Sequence, residues 1–379
     1  MHMRLMGFIH LERSGAQNMS KNKVKLKGIV SGIEHYCKKS DAKTLKKMAF
    51  SIGSKEGSNK TEIRNNILYQ STLLHDLNKI REQKGKLDIM AIDMGIENFA
   101  YSRFSWSLDD QTPVLTQWGK IRLGEKFLEP GMKASILQPN VMSELGFNLT
   151  KFLTSNSPDA FVIERQRART MGSANVFEPI LKVNILEHVL FSNLEYRLLL
   201  ERENKYSKQK EYLVKSSDPK RMTDYWCKLI PTKNLLEAKY GRGSPKMELK
   251  STSSTLTKML KISLVHSLLQ DQLTDKKFNK FTLSTDLQEV FSKSLESQNF
   301  SFFEALSLDD AAGKNKNDDL ADSLLHGLAW LDWIANYQEI TRVIKLNSYD
   351  EKGLHAFNAY HKQKRIDLET FSRSVITKL

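Results

Sequence analysis

The sequence has little cysteine, little acid and no long apolar run. Cys37 and Cys227 are its only cysteines. Two thiols cannot build a four-cysteine zinc site, and they point to a reducing compartment rather than a disulfide scaffold. No apolar stretch approaches the roughly 20 residues of a membrane span. No long basic amphipathic helix marks a membrane-surface protein either. Asp and Glu number 44 against 58 Lys and Arg, a net charge of +14 and a pI near 9.4. A neutral partner does not need that excess, whereas a polyanion such as nucleic acid does. What is present is enough for a globular protein: 379 residues, 40% hydrophobic and 27% charged. No internal repeat is visible.

The positive charge is concentrated. Residues 1–90 hold 18 Lys/Arg and 8 Asp/Glu, while the other 289 residues contribute only +4 of the +14. That imbalance predicts a polyanion-binding N-terminal module. Residues 1–19 carry Arg4 and Arg13 against Glu12, with a short apolar patch through Ile9. They fit a mitochondrial targeting segment, and equally a tail ahead of a start at Met19. Residues 20–84 read as short helices, with Asp41 as a helix cap and Gly53 as a break. Leu45, Phe50, Gly53, Gly57, Lys60, Ile63, Ile67 and Leu68 resemble a SAP motif, a helix-extended-helix DNA-binding module, in which Lys46, Lys47 and Lys60 are the DNA contacts.

The period changes after Gly85. Leu87–Ile92 and Asn98–Ser102 read as a hairpin around Gly95, and Val114–Leu123 as a third strand. Ser143–Thr154 is helical, and Ala160–Ile163 is a buried strand. Residues 175–200 form an apolar helix wide enough to be core, or core plus a subunit interface. Tyr212–Val214 is a short strand. Residues 238–256, rich in Gly, Ser and Lys, read as a flexible insertion, and 257–310 show no clear pattern. A last long helix starts at Asp318. These elements predict an α/β domain over 85–345 with an insertion at about 228–315, followed by a C-terminal extension at 346–379.

Three acidic positions share one pattern. Asp93 and Glu164 each end an apolar strand, and Asp318, Asp319 and Asp322 open an apolar helix. A carboxylate at the end of a buried strand needs a cation, a donor or a proton. Two on neighbouring strands repel unless something positive lies between them. Asp319 and Asp322 are three apart and share a helix face, and His326 lies four beyond Asp322. Helix N-terminal charge accounts for Asp318 or Asp319 but less well for Asp322, which sits among leucines. Oxygen-only donors select Mg²⁺ or Mn²⁺, and two such ions can activate a water and stabilise a leaving oxygen. The residues alone therefore point to metal-dependent phosphodiester hydrolysis. Arg165, Arg167 and Arg169 suit phosphate contacts. Tyr225 and Trp226, beside Lys220 and Arg221, suit stacking on exposed bases, or equally a place in the core.

Long strings carry a more specific resemblance. They are Ile92–Ala100, Ile163–Met171, Pro179–Glu187, Ser216–Pro219 with Arg221–Thr223 and Tyr225–Trp226, and Asp318–Ser323. They resemble the fungal mitochondrial cruciform-cutting endonucleases, Holliday junction resolvases of the RuvC-like branch of the RNase H-like superfamily. The resemblance implies an RNase H-like mixed sheet flanked by helices, preceded by the helical SAP-like module. It implies a homodimer in the mitochondrial matrix that cuts four-way junction DNA in opposed strands, with two Mg²⁺ or Mn²⁺ per site and a short preferred sequence. It makes Asp93, Glu164, Asp319 and Asp322 the metal ligands, with Asp318 as substitute or helper to Asp319. His326 is then a candidate to orient the water or touch the scissile phosphate, or else a core histidine. The products expected are 5′-phosphate and 3′-hydroxyl ends. Two other readings compete: a non-catalytic DNA-binding or packaging protein, and an RNase H-like nuclease for RNA–DNA hybrid or flaps.

Overall fold

The computed structural model describes residues 31–155, 157–166, 177–203, 212–230, 254–274, 279–294, 301–306, 317–347 and 349–376. The helices are α1 (described over 31–39), α2 (Ala42–Ser51), α3 (Lys60–Lys84), α4 (Leu123–Phe127), α5 (Pro139–Thr154) and α6 (Glu178–Glu203). They continue as α7 (Pro219–Cys227), α8 (Ser254–Leu273), α9 (Thr285–Ser294), α10 (Phe302–Ala305), α11 (Asp318–Leu346) and α12 (Glu351–Ile376). The strands are β1 (Lys86–Asp93), β2 (Phe99–Ser107), β3 (Val114–Ile121), β4 (Ala160–Glu164), β5 (Leu213–Ser217) and β6 (Thr282–Leu283). None of the described helices is long and apolar enough to cross a membrane. The chain divides into two compact units, Met1–His75 with Ala335–Arg365, and Asp76–Ile334 with Ile366–Leu379.

Within residues 42–75 the first unit holds α2 and the first part of α3, joined by a non-helical segment. Asp41 accepts from Thr44 N at 2.6 Å and caps α2. The end of α2 closes with Ser54 N on Ala49 O and Gly53 N on Phe50 O. Gly53 takes φ of 64°, a left-handed conformation that glycine adopts without strain. Asn59 caps α3 through Glu62 N, and Glu62 returns the bond to Ser58 N. Tyr36 stacks on Phe357 at 4.9 Å, so part of the expected C-terminal extension belongs to this core.

His361 is 1% exposed in the same core, and among the described residues neither ring nitrogen has a hydrogen-bond partner. Burial, helped by Lys47, pushes its pKa down to about 3. The unfolded chain therefore binds a proton below about pH 6.5 that the folded unit refuses. Stability is full above that pH and falls by up to about 1.4 kcal/mol per pH unit as pH drops towards 3. Urea unfolding of His361→Phe between pH 7 and 4 is expected to show a flatter slope than wild type. Parallel slopes would remove His361 as the cause.

The second unit is built on one six-stranded sheet in the order β5-β4-β1-β2-β3-β6. β2 runs antiparallel to β1 and β3, while β4 and β5 add in parallel to β1. This is the expected mixed sheet flanked by helices. Alternation sends Met90, Ile92, Phe161 and Ile163 to one face, where they pack with Leu145 and Leu149 of α5 and Leu186, Leu190 and Leu194 of α6. The opposite face carries α11. Here Ser102 donates to Ser323 O, and Trp118 Nε1 donates to Leu320 O.

The contact between α11 and the sheet is close at Gly327. A Cβ there would meet Phe104 Cε2 at 2.5 Å and Ser102 Oγ at 3.2 Å. Phe104 is fully buried against the edge of Phe281 and has little room to retreat. Gly327→Ala gains about 1 kcal/mol of helix propensity but incurs an overpacking cost of about 1–3 kcal/mol. A net loss of stability is expected in urea titration. A more stable variant would contradict this packing.

The described parts of the expected insertion are built into the sheet unit. β6 pairs with β3, Phe291 and Phe302 pack on Trp118, and α8 buries Leu260, Leu264 and Leu268. The flexible reading of 238–256 falls outside the described residues up to 253, and Ser254 opens a helix.

Candidate metal centre

Strand register brings two of the acids together. Ile92 pairs with Ile163 across the parallel ladder, so the next residues, Asp93 and Glu164, end adjacent strands side by side. Both point to the α11 face, since the pleat sends Ile92 and Ile163 to the other. Asp322, one turn into α11, supplies the third acid. Asp93, Glu164 and Asp322 each offer a carboxylate oxygen, and the three oxygens lie within 4.8 Å of one another.

Burial and the other two carboxylates push Asp93 well above the usual carboxylate range. Burial raises Asp322 to about 6, with Lys261 opposing and Glu164 adding to the rise. Burial also acts on Glu164, but His326 and Lys261 outweigh it and hold its carboxyl low. Crowded acids of this kind are stable when they share protons or cations. The donor set contains oxygen alone, which fits a hard divalent ion of the Mg²⁺ or Mn²⁺ kind.

Three lysines that sequence reasoning missed attend the helix acids. Lys261 of α8 pairs with Asp322, donating to Oδ2 at 2.6 Å, and is itself buried. Lys258, one turn earlier, pairs with Asp318. Lys120 of β3 donates to Asp319 at 2.8 Å. The spacing of Lys258 and Lys261 puts them on one helix face, but nothing in the sequence aims that face at the acids.

The triad therefore contains three of the four expected ligands. Asp319 and Asp318 lie outside it, each held by its own lysine. Burial raises Asp319 against the pull of Lys120, whereas for Asp318 the pairing with Lys258 outweighs burial and lowers it. His326 is fully buried and hydrogen-bonds Glu164 Oε2 through Nε2 at 3.0 Å. It backs an acid rather than facing solvent.

The expected DNA contacts divide. Arg165 is exposed and 3.7 Å from Asp218 Oδ2. Arg167 and Arg169 lie outside the described residues. Lys220 is exposed and paired with Asp224, and Arg221 is half-buried. In the other unit Lys46 and Lys60 are exposed and Lys47 is half-buried. The base-stacking expectation for Tyr225 and Trp226 needs correction. Both are buried on the inner face of α7, where Trp226 Nε1 donates to Leu325 O and Tyr225 donates to Asp332. Neither ring is presented to a base.

The chain is similar in sequence to known proteins over most of its length. Residues 89–340, which include the whole triad, match the family model described as mitochondrial resolvase Ydc2 / RNA splicing MRS1. The chain is 35% identical over 323 residues to cruciform cutting endonuclease 1, mitochondrial, of Saccharomyces cerevisiae, covering 83% of this chain and 88% of that protein. It is 23% identical over 363 residues to the mitochondrial RNA-splicing protein MRS1 of Saccharomyces paradoxus, covering 91% and 94%. The crystal structure of the yeast mitochondrial Holliday junction resolvase Ydc2 aligns with 80% of this chain and 97% of its own, at 20% identity and a TM-score of 0.44. The family match over most of the chain and the 35% identity lead to one conclusion: this protein belongs to the family of the mitochondrial resolvase Ydc2 and the RNA-splicing protein MRS1.

Proposed function

We propose that this protein is a mitochondrial endonuclease that resolves four-way DNA junctions by metal-dependent phosphodiester hydrolysis. The observation that carries the reading is the convergence of Asp93, Glu164 and Asp322 at the ends of two strands and the start of a helix. A purely DNA-binding protein has no use for three mutually repelling, partly buried acids. The 35% identity to a cruciform cutting endonuclease favours a branched substrate over an RNA–DNA hybrid. That relative and the MRS1 relatives are named as mitochondrial, which supports the location.

Asp93, Glu164 and Asp322 would hold the ions, with Asp319 available once Lys120 releases it. Bound there, Mg²⁺ or Mn²⁺ supplies an activated water and stabilises the leaving oxygen. The chain's own residues do the rest. His326 backs Glu164, and Lys261 balances Asp322. Lys120 and Lys258 place ammonium groups beside the triad where a phosphate approaches. Arg165, with Arg167 and Arg169 beyond it in sequence, and Lys220 supply further phosphate contacts. Lys46, Lys47 and Lys60 serve the helical module in the same way.

Paired cuts in a two-fold junction call for two active sites related by a two-fold axis. The face of α6 bearing exposed Leu181, with exposed Phe177 just ahead of the helix, is the proposed dimer contact. Junction cleavage tests the whole reading. A four-way junction and the matched linear duplex are incubated with Mg²⁺ or EDTA across several junction sequences. Symmetric nicks with 5′-phosphate and 3′-hydroxyl ends, on the junction only and lost in EDTA, are expected. Tight binding without any cut, or 3′-phosphate ends, would overturn it.

A further inference from the structure

The metal triad is backed by a buried polar chain that runs away from it. Glu164 Oε2 meets His326 Nε2 at 3.0 Å. His326 Nδ1 meets Ser217 Oγ at 3.0 Å. Ser217 Oγ in turn accepts from Trp330 Nε1 at 3.0 Å. Ser217, His326 and Trp330 are all fully buried. The geometry follows from the fold: Ser217 ends β5 directly opposite Glu164, and His326 and Trp330 are one turn apart on α11.

The direction of each hydrogen bond follows from the donor inventory. An indole N–H can only donate, so Ser217 Oγ is the acceptor from Trp330. The Glu164 carboxylate can only accept, so a neutral His326 donates to it through Nε2 and takes the Ser217 hydroxyl proton at Nδ1. A neutral imidazole that accepts at Nδ1 carries its proton on Nε2. That proton points at Glu164. One arrangement of hydrogens thus satisfies all four groups.

We propose that Trp330 and Ser217 set the tautomer of His326, and that His326 in turn sets the orientation of the Glu164 carboxylate for the divalent ion. His326 and Ser217 are positioning residues: neither touches the ion or the DNA. The same chain explains why Glu164 presents a fixed oxygen to the triad although it ends a strand. Loss of an outer hydrogen-bond partner of a metal ligand typically costs about 10–100-fold in metal affinity. Ser217→Ala removes the link without adding volume. It should weaken metal binding by that amount, while junction affinity in EDTA stays unchanged. His326→Gln, whose amide can still donate to Glu164, should recover part of the loss seen in His326→Ala.

This inference rests on the metal site proposed above, and the test separates the two. Free Mn²⁺ is titrated by electron paramagnetic resonance against wild type, Asp93→Asn, Ser217→Ala and the two His326 variants. In parallel, a ¹H–¹⁵N correlation of the imidazole nitrogens reads the His326 tautomer in wild type. Tight Mn²⁺ binding to wild type, its loss in Asp93→Asn, weaker binding in Ser217→Ala and an Nε2-protonated ring support the proposal. Tight wild-type binding with Ser217→Ala unaffected would overturn the positioning role alone. A His326 ring carrying its proton on Nδ1, or protons on both nitrogens, would do so without reference to any variant. Failure of wild type to bind Mn²⁺ would overturn both the metal site and its backing.

Discussion

Replacing Asp93 by asparagine is expected to abolish junction cleavage and to leave junction binding intact. Asparagine keeps the shape of the side chain and removes its charge. A bound metal ion contributes several kcal/mol of transition-state stabilisation. Losing its central ligand therefore slows the single-turnover rate by about 10⁴-fold or more. The same substitution should stabilise the metal-free protein. Asp93 has a folded pKa raised by burial and by Glu164 and Asp322. Its favourable neutral form is present at low pH and is lost as pH rises through that folded value. Metal-free wild type should thus weaken towards alkaline pH, and Asp93→Asn should weaken less. Thermal melts in EDTA at pH 6 and 8, run beside the cleavage assay, check both halves. A variant that still cuts at more than a hundredth of the wild-type rate would remove Asp93 from the site.

Lys261→Met is expected to have the largest effect on metal-free stability. Lys261 is the buried cation nearest the acids, and its own pKa is raised by Asp322, Glu164 and Asp93 against the opposing effect of burial. Removing one partner of a buried pair typically costs about 3–5 kcal/mol. Here the loss should be about 2–3 kcal/mol, because Asp322, already at about 6, takes up a proton readily. Added Mn²⁺ should therefore stabilise the variant more than it stabilises wild type, since the ion supplies the charge the lysine no longer does. An unchanged melting temperature in EDTA, or equal stabilisation of both proteins by Mn²⁺, would show that Lys261 does not balance the cluster.

The strands and acids of the site were readable because their local signals are strong. β1 and β4 are buried on both faces and end in unbroken apolar runs, Ile89–Ile92 and Ala160–Ile163, so the carboxylate after each stands out. Asp322 stands out in the same way on an all-round apolar helix. The lysines were not readable. Lys261 reaches Asp322 across 61 residues of sequence, through a segment whose composition shows no period. Ser217 was visible within a motif, but its role depends on β5 lying beside β4, which no local pattern states. The base-stacking reading of Tyr225 and Trp226 overlooked a local clue. Met222, Tyr225 and Trp226 fall at i, i+3 and i+4, the spacing of a buried helix face, and α7 buries all three.

The most direct test of the central claim is anomalous diffraction from crystals of the wild-type protein soaked in Mn²⁺. The account predicts manganese bonded to carboxylate oxygens of Asp93, Glu164 and Asp322, with Lys261 turned from its Asp322 contact. No manganese at these three residues, at a concentration that supports junction cleavage in solution, would contradict it.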